Sequence, residues 1–328
     1  MKFLLPTGIG DSVWALHKIQ AIRDRQAPGE RIDILLHGGH ALIDTRAIDF
    51  VKRFSFVDGA EMSAHAIHKP GKWISEDGTY DYIEDGHYDH KTGHYIALMP
   101  NRALEHGIRL ENWLPHYPIR WDIWNDFYIS EEERNYGLHI HAKAGDYCVF
   151  YPGPLNGNTE DGHNRNALWK PGDWAELGNR IQDLGLAIVV VGAGYDASYW
   201  QYLLGPLVRD AGWHNLIGQT NLGQLWSVTS RAKFVISYQA GVGIVSTYLG
   251  TPTAIWWRPY GMSISGQHFL SFDEKMSHCW VPPKILESGS YLPMIYGKHG
   301  VVQIMDWVGG LNDAKAGPDR QEVRTTDR

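Results

Sequence analysis

Residues 215–257, "NLIGQTNLGQLWSVTSRAKFVISYQAGVGIVSTYLGTPTAIWW", decide the fold. Read by hydrophobic period, "LGQLWSVTSRA" is a short helix and "KFVIS" a buried strand, followed by a helix at "GVGIVSTYLG" and a strand at "TPTAIWW". Strands alternating with helices over so short a span point to a parallel sheet, because each crossover helix returns the chain to the same edge. Working back toward the N-terminus extends the series. "LAIVVVGAG" (186–194) is an apolar strand ending in a glycine turn, preceded by the helix "PGDWAELGNRIQDLG" (171–185) and the strand "YCVFY" (147–151). A helix is expected from about Asp196 to Asp210 and a last one over 298–312.

An earlier series opens the chain. Phe3-Leu4-Leu5 reads as a strand, Gly8 to Gly10 as its turn, and Asp11 to about Gln26 as a helix with an apolar stripe of Val13, Leu16, Ile19 and Ile22. Pro28-Gly29 ends that helix, "RIDILL" (31–36) is the next strand, and a helical stretch follows near 41–53. From Glu61 to Tyr128 the pattern loosens into Tyr, Trp, His and Gly, and "HIH" at 139–141 is read as part of the connection between the series. The expected fold class is therefore α/β, with two Rossmann-like domains whose parallel sheets face across a cleft. The expected domains are 1–145 and 146–297, with helix 298–312 packing back on the first and a disordered tail over 313–328.

Composition narrows the function. The chain has 328 residues, enough for two ordinary domains, and 43% of them are hydrophobic against 20% charged. A formal net charge of −7 argues against a protein that mainly coats nucleic acid, since that task needs clustered Lys and Arg. The two cysteines, Cys148 and Cys279, lie far apart without metal-ligand spacing, so a reducing cytoplasm is expected. There is no charged leader and no apolar run of about 18 residues, the length that crosses a membrane.

The glycine turns carry the chemistry. "LPTGIGD" lacks the third glycine of the dinucleotide fingerprint, and it leads its helix with an acid that would repel a phosphate. Asp11 there suits a helix cap, and it equally suits a base: helix-start N–H groups keep a carboxylate ionised and able to accept a proton from an attacking hydroxyl. In the later series, "YPGPLNGN" (151–158) follows a strand and offers backbone amides, and "NRNALWKPGDW" places Arg165 and Lys170 before a helix. "GQT", Gly218-Gln219-Thr220, follows a short strand, and Gln239-Ala240-Gly241-Val242 lies at a glycine-rich helix start, where N–H groups favour an anion. "HYDHKTGH" brings His87, Asp89, His90 and His94 to spacings zinc accepts, but Gly86 and Gly93 make an exposed loop the expectation, and no metal site is assigned.

These segments resemble the heptosyltransferase-type glycosyltransferases, the family of the ADP-heptose:lipopolysaccharide heptosyltransferases, over residues 1–55 and 147–258. The resemblance rests on "GIGDSVWALHKIQAIR", on "ALWKPGDWAELGNRIQDLGLAIVVVGAGYD" and on the stretch that opens this section. It implies the GT-B arrangement, with an N-terminal acceptor domain and a C-terminal nucleotide-sugar domain. It gives Asp11 the role of general base, with Gly8, Gly10 and Ser12 on the acceptor side. The donor's diphosphate would lie among Gly153, Arg165, Lys170, Gln239, Ala240, Gly241 and Val242, and its nucleoside near Gly218, Gln219 and Thr220. Where the family has Asp-Ser-Gly or Asp-Thr-Gly followed by His, this chain has Gln239-Ala240-Gly241 and Ile244. The implied reaction is metal-independent transfer of a sugar from a nucleotide-diphosphate sugar, with no other cofactor, to a glycan or lipopolysaccharide-like hydroxyl. A phage-type enzyme acting on hydroxymethylated DNA, a sugar-nucleotide epimerase and an inactive nucleotide-sugar binder stand as alternatives.

Overall fold

The computed structural model describes residues 2–6, 9–37, 46–63, 66–69, 72–75, 82–83, 118–153, 169–238, 240–257, 281–295 and 300–313. The chain forms two compact units that divide between Tyr128 and Ile129.

Among the described residues, the first unit is built on a four-stranded sheet. In chain order its elements are β1 (Lys2–Pro6), α1 (Ile9–Gln26), β2 (Asp33–His37), α2 (Arg46–Val51), β3 (Gly59–Ser63), an antiparallel hairpin of β4 (Ala66–Lys69) and β5 (Lys72–Ser75), and β6 (Tyr82–Ile83). The sheet order is β3-β2-β1-β6 with every pairing parallel; Leu4 lies opposite Leu35 on one side and Ile83 on the other. Val13, Leu16, Ile19 and Ile22 are all buried, which makes α1 the helix that seals the sheet. Its far side is not solvated either: Ser12, His17 and Lys18 are buried as well. A 3-10 turn at Trp121–Asp126 explains why. Trp124 Nε1–H donates to His17 Nε2 at 2.9 Å, Trp121 lies 4.7 Å from the His17 ring, and Arg120 N–H donates to the His17 carbonyl. Phe54 packs 5.1 Å from both Trp124 and Phe127 and completes an aromatic cluster with Phe50.

The second unit opens with α3 (Glu131–Ala144), then β7 (Tyr147–Tyr151), α4 (Pro171–Gln182), β8 (Ala187–Val190), β9 (His214–Asn215), α5 (Leu222–Arg231), β10 (Val235–Tyr238), α6 (Gly241–Tyr248), β11 (Thr253–Trp257), α7 (Pro283–Glu287), β12 (Tyr291–Ile295) and α8 (Val301–Asp313). Its six described strands are all parallel in the order β12-β11-β10-β7-β8-β9. Counted from β7, the sheet reads 3-2-1-4-5-6 from the β9 edge, the Rossmann order. One face is filled by Phe150, Trp169, Trp174, Trp213, Tyr238 and Trp256. Trp174 makes edge-on contacts with Phe150 at 5.2 Å and Trp169 at 5.1 Å, the geometry that aromatic quadrupoles favour.

Three expectations change. The division falls ahead of residues 145/146 because 139–141 are not a connection: they sit inside α3, which packs on α5. The fit uses absent side chains, since a Cβ on Gly137 would overlap Ser227 and one on Gly223 would overlap the Glu133 carboxylate. The helix expected over 196–210 is broken into a short turn at Ala197–Tyr199, a π segment at Trp200–Leu204 and 3-10 turns beyond. Pro206 lacks the N–H that a continuing helix needs. Finally, α8 packs on α4 and buries Ile304 and Val308 in the core of the second unit.

Candidate functional site

In an open parallel sheet, ligands bind beyond the carboxyl ends of the strands, where the strand order reverses. In the second unit that reversal lies between β7 and β10. The chain leaves β7 through Tyr151, Pro152 and Gly153, all buried. It leaves β10 at Tyr238 and starts α6 at Gly241, with Ala240 as its N-cap. Ala240 has no side-chain oxygen to offer, and its backbone is extended, so no side-chain cap satisfies the first turn of α6. Ala240 and Gly241 are half-buried and Val242 is buried. Gly243 lets α6 sit down on the sheet, for a Cβ there would overlap Ser237 Oγ and stand 3.1 Å from Ile255 Cδ1.

The exits of β8 and β9 meet beside this point. Gly218 adopts a left-handed φ of +70°, and its N–H donates to Gly192 O at 2.9 Å. A Cβ on Gly218 would come 3.2 Å from Gly194 Cα, so the turns after β8 and β9 touch through glycine. Gln219 and Gly218 are exposed and Thr220 is half-buried; the Gln219 amide donates back to Asn215 O, which closes the turn. On the Tyr238 face, Trp169 O accepts from Tyr238 Oη at 3.4 Å. Lys170 follows as the exposed N-cap of α4, its N–H donating to the Asp173 carboxylate at 2.7 Å. Tyr199 is buried nearby; burial first, then Tyr238 and Asp173, hold its phenol above the ordinary range, so it stays protonated.

The expected donor residues that are described thus gather at one edge of one sheet: Gly153, Lys170, Gly218, Gln219, Thr220, Ala240, Gly241 and Val242. Arg165, Gln239 and the histidines of 87–94 lie outside the described residues, as does Gly8. Gly10 and Asp11 fall in the first turn of α1, since that helix starts at Ile9. Asp11 is therefore inside the helix and not at its cap, and its side chain lies outside the described set. Ser12 is fully buried, which removes its hydroxyl from any substrate in this structure. Among the described residues no cluster of His, Cys, Asp or Glu has the form of a metal site, and no helix is long and apolar enough to cross a membrane.

Reading by motif missed one residue here, Asp196. It is buried at 1% exposure beneath Gly153, and its Oδ2 accepts from Ala193 N–H at 2.8 Å. The available signal was an acid two residues after the glycines of "GAGYD".

Residues 122–257 match the model of glycosyltransferase family 9 (heptosyltransferase). That stretch is less than half of the chain, and the family is what it is similar to. Solved structures extend the likeness to nearly the whole chain. The E. coli ADP-heptose lps heptosyltransferase II is 16% identical with a TM-score of 0.57, covering 95% of this chain and 98% of that one. E. coli heptosyltransferase WaaC with ADP is 13% identical at a TM-score of 0.55, over 95% of this chain and 100% of that one. The UDP-GlcNAc 2-epimerase of Methanocaldococcus jannaschii, 11% identical, reaches 0.51 over 98% and 95% of the two chains. At such identities the likeness speaks for the fold, the GT-B pair of Rossmann-like units, which heptosyltransferases and epimerases share. No curated protein matches by sequence.

Proposed function

We propose that this protein is a glycosyltransferase that moves a sugar from a nucleoside diphosphate to a hydroxyl of a glycan or lipopolysaccharide-like acceptor. The observation that carries the reading is the start of α6. It lies at the reversal point of the second sheet, its cap is an alanine, and its first-turn N–H groups are oriented for an anion. The donor's diphosphate would rest there, with Gly153 and Arg165 beside it and the nucleoside toward Gly218, Gln219 and Thr220. As the sugar leaves, negative charge grows on the diphosphate, and the helix-start amides and Arg165 stabilise it without calling on a metal. Asp11 takes the proton from the acceptor oxygen as the new bond to the sugar carbon forms. ADP-heptose is the first donor to try, because the matched structures include an ADP-heptose lps heptosyltransferase and a heptosyltransferase with ADP. Asp11→Asn tests the assignment. It should abolish transfer while ADP affinity stays within about twofold, since a base acts on the acceptor and adds little to donor binding. Full turnover by the variant would remove Asp11 from the mechanism. The epimerase reading is separated in the same assay by leaving the acceptor out: an epimerase alters its sugar nucleotide alone, whereas the proposed transfer stops.

A further inference from the structure

We infer that Asp196 is a positioning residue that sets the floor of the donor site, an inference that rests on the site proposed above. It closes the turn that leaves β8, and its own N–H donates to Ala193 O at 2.9 Å while Oδ2 takes the Ala193 N–H. The carboxylate is thereby fixed to the glycine turn that carries it. It then fills space that belongs to two other strand exits. A Cβ on Gly153 would stand 2.6 Å from Asp196 Oδ1 and 2.7 Å from its Cγ, closer than real Cβ atoms come. A Cβ on Gly192 would stand 3.0 Å from Oδ2. Gly192 in turn holds the Gly218 N–H. One buried acid thus wedges between the ends of β7 and β8 and, through Gly192, settles the turn after β9.

The wedge has a chemical consequence. Gly153 flanks the α6 start proposed for the diphosphate and Gly218 lies at the edge proposed for the nucleoside, so both parts of the donor rest on backbone that the wedge fixes. Asp196 touches neither; it holds the backbone that does.

Size compensation tests this with ADP as the probe, by calorimetry on the full chain below its melting transition. Gly153→Ala should weaken ADP binding about tenfold in the native background, the equivalent of a misplaced strand exit, and less than about twofold once Asp196→Ala has vacated the space. Asp196→Asn, which keeps the volume and the acceptor for Ala193 N–H, should bind ADP within about threefold of the parent. A role confined to stability would lower Tm in the Asp196 variants and leave the ADP Kd of the folded protein unchanged. An equal cost of Gly153→Ala in both backgrounds would overturn the inference. If Asp196→Ala does not fold, Asp196→Ser provides the vacated background. A parent protein that binds none of ADP, GDP, UDP and CDP would overturn the donor site itself; binding without compensation overturns Asp196 alone.

Discussion

Acidification should weaken the first unit through one histidine. His17 is fully buried, and burial first, with Lys18 second, lowers its pKa from 6.5 to about 3. Its Nε2 is occupied as an acceptor from Trp124 Nε1–H, so a proton there would break a hydrogen bond as well as charge a dry site. Because the folded pKa is depressed, the stabilisation is present above pH 6.5 and is lost as the pH falls from 6.5 toward 3. Each pH unit inside that window costs about 1.4 kcal/mol, so going from pH 7 to 4.5 should remove about 2.5 kcal/mol through His17 alone. Urea unfolding of the parent and of His17→Gln at both pH values measures the difference, since glutamine can accept from Trp124 but does not titrate in this range. Hydrogen exchange on peptides of α1 assigns the loss to the first unit. If parent and variant lose the same free energy between the two pH values, His17 does not titrate as a buried neutral base and the argument fails.

Other perturbations have comparably definite outcomes. Gly243→Ala forces a Cβ into Ser237 Oγ, and should cost about 1–3 kcal/mol in denaturant titration, the usual penalty for overpacking. Ser130 caps α3 by accepting Glu133 N–H while Glu133 returns the bond to Ser130 N–H; Ser130→Ala should therefore cost about 1 kcal/mol, read as a lower urea midpoint with an unchanged slope. Cys148 lies at 0% exposure with its thiol pushed up by burial, so in a Cys279→Ser background a thiol reagent should label it only at the rate of unfolding. Fast labelling in native buffer would contradict the packing of β7.

The strand–helix alternation was legible because buried parallel strands write themselves as apolar runs, and "YCVFY", "LAIVVV" and "TPTAIWW" each became a strand of the second sheet. What was not legible depended on contacts distant in sequence. α3 carries His139 and His141 on a mostly polar surface, so its period is weak; the capping pair Ser130 and Glu133 was the signal that could have found it. The 196–210 segment has helical composition up to Gly205-Pro206 and breaks there and before it. For the candidate site, glycines marked the carboxyl edge of the second sheet, because turns at strand ends need them. They could not reveal Asp196, whose importance lies in filling the space a glycine leaves empty, nor that Ser12 would turn into the packing of its own unit.

The seam between α3 and α5 also governs how this chain can be divided and recombined. Glycine against side chain at both 137/227 and 223/133 makes the two helices a matched set, so a chimera joined at residue 145 would pair α5 with a foreign helix bearing the wrong bumps. A junction just before Ile129 carries the set across intact. Exchange of the second unit between chains of the same fold should succeed at that position and fail at the later one.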